Sequence, residues 1–160
     1  MAEAILNHTG KGRFRAFSAG SQPDMKVNPF AIEQIQLAKM NFEALQCKNW
    51  IAFTSSEAPS VDFVFTVCDD LSLANNLPAW KGRPVNAHWR VDDPNSIMGS
   101  QEEKRKAFSK VFTQINWRIS IFASLPLTKL SDMSLKVELE NISILEDRRK
   151  ERKLNQFNTI

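Results

Sequence analysis

Ten residues, Val61 to Asp70 (VDFVFTVCDD), do most to limit what this chain can fold into. Phe63 to Cys68 is a short, almost continuous apolar run rich in β-branched and aromatic side chains. Such a run suits a strand covered on both faces, as in a parallel sheet flanked by helices. It stops abruptly at two aspartates, which places a polar loop at its carboxyl end. In open α/β sheets, ligands meet the protein at that end of the strands.

The remaining segments supply the helices that such a sheet needs. MAEAILNHTGKG predicts a helix over 2–9, ended by Gly10 and Gly12. RFRAFSAGS alternates, with Phe14, Ala16 and Ser18 on one face, and predicts a strand over 13–18 that enters a turn at SAGSQPD. NPFAIEQIQLAKMNFEAL predicts a helix over 28–45 with Asn28 as N-cap and Pro29 at the first position. PVNAHW is a weaker strand, and VDDPNSIMGS a loop. Ser100 and Glu103 form a capping box for a helix carrying Phe108, Val111, Phe112, Ile115, Ile119 and Phe122 at helical spacing, which Pro126 ends. Leu135, Leu139, Ile142 and Leu145 repeat at steps of three and four within a last helix over 131–157. Helix, strand, helix, strand, strand, helix, helix is an α/β order with a parallel sheet. Three loops then fall at strand ends: SAGSQP, CDDLSLANN and WRVDDPNS.

The bulk numbers narrow the function classes. The 160 residues carry 21 basic and 18 acidic side chains, a net charge of +3, and five of the basic residues sit in EDRRKERK at 146–153. Away from that solvated helix face the charges nearly balance, which argues against a nucleic-acid partner. No apolar run is long enough to span a bilayer and no secretory signal opens the sequence, so no membrane partner is expected and a reducing cytoplasm is the default. Two cysteines, Cys47 and Cys68, do not make a disulfide framework.

The candidates for chemistry are few. Cys68 ends the buried strand beside a polar loop, where it is either a redox thiol or a small buried hydrophobe. Asp92 and Asp93 precede Pro94, and there they are either a proton donor to a leaving group or plain turn chemistry. Cys47, in a polar segment before Trp50, reads as structural or incidental. His8 and His88 have no local cysteine or histidine partner, so neither metal nor cofactor is expected, and His88 reads as a hydrogen-bonded core or rim residue. No dinucleotide fingerprint, P-loop or nucleophile elbow occurs. From the residues alone this is an α/β domain whose site lacks a nucleophile.

The order of segments is more specific than any one motif. MAEAILN, FRAFSAGSQP, VNPFAIEQI, DFVFTVCD, AHWRVDDP, GSQEEKRKAF and RISIFASLPL, in that sequence, resemble the arsenate reductases built on the low-molecular-weight protein tyrosine phosphatase fold. The resemblance runs from residue 1 to about residue 135. It implies a three-layer α/β/α fold, a domain over 1–130, and an extended helical segment over 131–160.

The resemblance also implies roles. Asp93 matches the family's general acid in an Asp-Pro loop, and Cys68 matches the second redox cysteine of the reductases. The family's substrate is arsenate or a phosphate-like oxyanion, held in a C-x5-R loop that supplies the nucleophilic cysteine and leads straight into the AEAIL helix. These 160 residues hold no such loop: six positions after Cys47 stands Phe53, and six after Cys68 stands Ala74. The third cysteine, whose disulfide thioredoxin reduces, is also absent, with Leu77 about where it would stand. The expectation is therefore a truncated, catalytically inert relative whose standing as an enzyme is open, or a non-catalytic interaction protein, such as a homodimer, on the same scaffold. The strand ahead of the missing loop would be central, between 13–18 and 61–67. Its absence leaves three outcomes: the flanking strands close up, a second chain fills the gap, or the natural protein is longer.

Overall fold

The computed structural model describes residues 1–69 and 76–157, with side chains through Leu145. The loop at 70–75 and the basic side chains of 148–153 therefore lie outside the described residues. The architecture is α/β: helices packed on a small parallel sheet.

Helix α1 spans Ala2–Thr9, as the apolar pattern predicts, and buries Ala4 and Ile5. Gly10 ends it by donating its N–H to the Leu6 carbonyl at 2.8 Å. The strand expected over 13–18 does not form; the chain is extended there but joins no ladder. Side chains of α1 take the place of a neighbouring strand. Asn7 bonds both main-chain groups of Ala16, at 2.8 and 3.1 Å, and Glu3 accepts from the Ser18 N–H at 2.7 Å. Glu3 and Asn7 are one helical turn apart, so both reach the same segment.

Helix α2, Pro29–Leu37, begins at the Asn28 cap as expected but stops eight residues short of Leu45. Lys39 adopts φ 55°, a left-handed conformation that breaks the helix although no glycine marks the place. Strand β1, Phe63–Thr66, pairs in parallel with β2, Val85–His88, Phe63 lying opposite Val85 and Thr66 opposite His88. All four β1 residues are half-buried, where the apolar run predicts cover on both faces. The cause is the edge away from β2, which no strand occupies among the described residues.

Helix α3, Gln101–Ser124, opens with the expected capping box: the Ser100 N–H donates to Glu103 Oε2 at 2.7 Å, and the Glu103 N–H donates to Ser100 Oγ at 3.3 Å. It ends two residues before Pro126. Phe122 near its end is the hub of the core, its ring 5.2, 5.1 and 4.9 Å from those of Phe14, Phe63 and Phe65. Helix α4, Asp132–Phe157, lays Leu135, Leu139 and Ile142 against the rest of the protein. Each such burial stabilises by about 1.5–3 kcal/mol. The first half of α4 thus completes the core with Ile5, Trp89, Ile119 and Phe122.

Candidate functional site

A groove of about 770 Å³ runs between the extended segment at 13–22 and the stretch 61–68 that contains β1. Ala2, Glu3 and Leu6 of α1 and Ile119 and Phe122 of α3 line it, together with Trp50, Phe53 and Trp80. Phe14 packs on Phe122, whereas Phe17, on the opposite face of the extended segment, packs on Phe53 at 5.5 Å. Helices therefore cover one face of the groove and the turn at Trp50–Phe53 the other.

Cys68 lines this groove just past the end of β1, half-buried, and Leu77 lines it as well. The SAGSQ turn expected at a strand end lines it too, through Ser18 to Gln22. Asp93 is not among the lining residues. It is exposed and caps a short turn, Pro94–Ser96, its Oδ1 accepting the Asn95 N–H at 2.9 Å. Turn chemistry is thus what Asp93 performs in this structure. Asp92 beside it pairs with Lys110 at 3.0 Å. Asn28, the α2 cap, reaches the same loop by donating to Asn95 Oδ1 at 2.8 Å.

Two of the groove's ionic groups, Glu3 and Arg13, are engaged, while Arg15 and Asp62 are exposed. Glu3 is buried, accepts from the Ser18 N–H and hydroxyl, and pairs with Lys48 at 3.3 Å. Arg13 donates through Nη2 to the Ala123 carbonyl at 2.5 Å. Burial pushes the Met1 amine below its ordinary value of 8.0, against the opposing pull of Glu3. Residue-by-residue reading missed Glu3, whose signal was a carboxylate in the first turn of a helix with a polar residue one turn on. It also missed the aromatic cover from Trp50, Phe53 and Trp80, which is scattered in sequence.

His88 is the hydrogen-bonded rim residue expected, with Nδ1 2.7 Å from Thr66 Oγ1. Burial and the nearby guanidiniums of Arg118 and Arg90 lower its pKa from 6.5. Cys47 is exposed and lies outside the groove lining. Among the described residues, no group of histidine, cysteine and carboxylate side chains is placed to hold a metal ion, and no helix is long and apolar enough to cross a membrane.

A parallel α/β sheet, with a cysteine past one strand and an Asp-Pro turn past the next, defines a scaffold whose polar loops gather at the strand ends. Residues 1–133 match the low molecular weight phosphotyrosine protein phosphatase family, and the chain belongs to it. Relatives named arsenate reductase include one from Bacillus subtilis, 28% identical over 123 residues, which are 77% of this chain and 84% of the relative. Two others match over shorter stretches: one from Oceanobacillus iheyensis, 36% identical over 62 residues, and one from Bacillus licheniformis, 36% identical over 64. Those alignments cover 39% and 40% of this chain and 43% and 45% of the relatives, so they span less than half of either relative.

Proposed function

We propose that this chain is an arsenate-reductase-like scaffold, with Cys68 at the position of a redox cysteine and Asp93 at that of a general acid, and that its 160 residues are catalytically inert. The family match over 1–133 and the names of the relatives support the scaffold. The chemistry supports inertness. Reducing an oxyanion with thiols requires two thiols that end as one disulfide, and the groove holds a single thiol, Cys68. Neither cysteine is followed by arginine at C-x5-R spacing, so no residue supplies the cradled thiolate nucleophile. The cytoplasm, with its reduced thiols, is the compartment proposed.

The test is direct. The 160-residue protein should show no thiol-dependent arsenate reduction and no hydrolysis of an aryl phosphate. Turnover above a protein-free blank that disappears in Asp93→Asn or Cys68→Ser would overturn this reading.

One observation favours a second reading, a non-catalytic oligomeric interaction protein on the same scaffold. Met133, Val137 and Ile144 are exposed on α4, opposite its buried stripe. That reading gives a dimer by light scattering; a folded monomer at high concentration would defeat it.

A further inference from the structure

We infer that α4 is a docking surface for a second copy of this chain, the two helices lying antiparallel so that the acidic half of each meets the basic half of the other. The inference rests on the reading of the chain as an oligomeric interaction protein and gives that reading a surface, a partner and a geometry.

The first support is the face that α4 leaves uncovered. Leu135, Leu139 and Ile142 are buried against the body of the protein and use one side of the helix. Met133, Val137, Glu140 and Ile144 follow one another at steps of four, three and four, which makes a single stripe on the other side. All four are exposed. Three apolar side chains in so narrow a stripe suit the seam of a helix pair. The family match ends at residue 133, whereas α4 spans Asp132–Phe157, so the stripe belongs to a helix added to the shared scaffold.

The second support is charge. Residues 132–147 carry five acidic side chains and one basic, a net −4, and 148–157 carry five basic and one acidic, a net +4. A parallel pair would set like charge against like. An antiparallel pair sets opposite charges together along both halves. A two-fold contact must be self-complementary, and a helix that carries both signs meets that condition. A partner of a single sign would be repelled along half of the helix.

The third support is register. The 26 residues of α4 make a helix about 39 Å long. Complete antiparallel overlap puts the two-fold axis between positions 144 and 145, so Ile144 of each copy lies at the centre. Glu140 then stands level with positions 148 and 149 of the second copy, both arginine in the sequence. Among the described residues no cation pairs with Glu140. Within one chain, positions 140 and 148 are about 12 Å apart along the axis, too far to pair, so the second copy supplies the matching charge.

The experiment is sedimentation equilibrium of the complete 160-residue protein, joined to cross-linking. The protein should dimerise. Glu140→Lys and Arg148→Glu should each weaken the dimer about tenfold, and the double variant carrying both should regain the native affinity. In a Cys47→Ser, Cys68→Ser background, a short bismaleimide should join two copies of Ile144→Cys. It should not join two copies of Met133→Cys, which lie about 35 Å apart across the axis. A monomer up to millimolar concentration would overturn this inference and the oligomeric reading together. A dimer that cross-links equally through both positions would make the helices parallel, and a dimer that cross-links through neither would lie on another surface. Charge variants that leave the affinity unchanged, or a double variant that stays weak, would remove the charge pairing. Each of these last results overturns the inference and leaves the oligomeric reading standing.

Discussion

Trp89 donates its indole N–H to the main-chain carbonyl of Leu139, 3.3 Å away and fifty residues on in sequence. Both residues are buried, at 1% and 0% exposure. The contact binds α4 to the residue that follows β2, so the last helix is part of the core that supports the sheet. Leu139→Ala removes apolar volume at that point and should destabilise the protein by about 2–5 kcal/mol in urea unfolding. A loss under about 1 kcal/mol would mean that α4 is only loosely attached.

The capping box at the start of α3 is a separate, local contribution. Ser100 and Glu103 satisfy each other's main-chain donors, and those hydrogen bonds hold the Glu103 carboxyl below its ordinary value. Ser100→Ala should cost about 1 kcal/mol in the same measurement. Ser109→Ala, at an exposed position inside the helix, should stay within about 0.5 kcal/mol.

The contrast between these two sites explains what could be read from the sequence. Ser100, Glu103, Asn28 and Pro29 signal helix starts through neighbours a few residues away, so both starts were legible. The extended stretch at 13–18 has the alternation of a strand, yet strand formation needs an adjacent chain, and the groove lies alongside. Helix α2 kept its apolar spacing past Leu37, and the left-handed Lys39 carried no glycine to announce it. The groove itself is assembled from segments scattered between Ala2 and Leu127. The aromatic cover from Trp50 and Trp80 had no local pattern. Asp93 was legible as a turn residue and is one.

His88 should make stability depend on pH. Its folded-state pKa lies below 6.5, through burial first and then the charges of Arg118 and Arg90. Its buried Nε2 has no hydrogen-bond partner among the described residues, so a proton added there finds no acceptor. The unfolded chain therefore binds that proton more readily. The stabilisation is complete above pH 6.5 and is lost as pH falls through 6.5 toward the lowered folded value. The buried Met1 amine acts in the same direction from its own ordinary value of 8.0, so the histidine's share is read as a difference. Unfolding free energies at pH 7.5, 6.5 and 5.5 should fall more steeply for the native protein than for His88→Gln. Parallel curves would remove His88 from the account.

The turn that leads into β2 rests on Gly82. Its φ is +106°, a conformation that side chains resist, and a Cβ built there would lie 2.6 Å from the Val61 carbonyl oxygen and crowd Ser60 Oγ. The close approach has a purpose: Val61 N–H donates to the Lys81 carbonyl at 2.9 Å, which brings the start of β2 alongside the start of β1. Gly12 provides an internal reference, because it has φ +80° but nothing within 4 Å of the same built atom. Gly12→Ala should therefore report conformational strain alone, about 1 kcal/mol. Gly82→Ala adds a backbone clash and should exceed it by at least about 1 kcal/mol. Urea unfolding of the two variants side by side makes the comparison. Equal losses would show that β1 and β2 are not held together through the Val61–Gly82 approach.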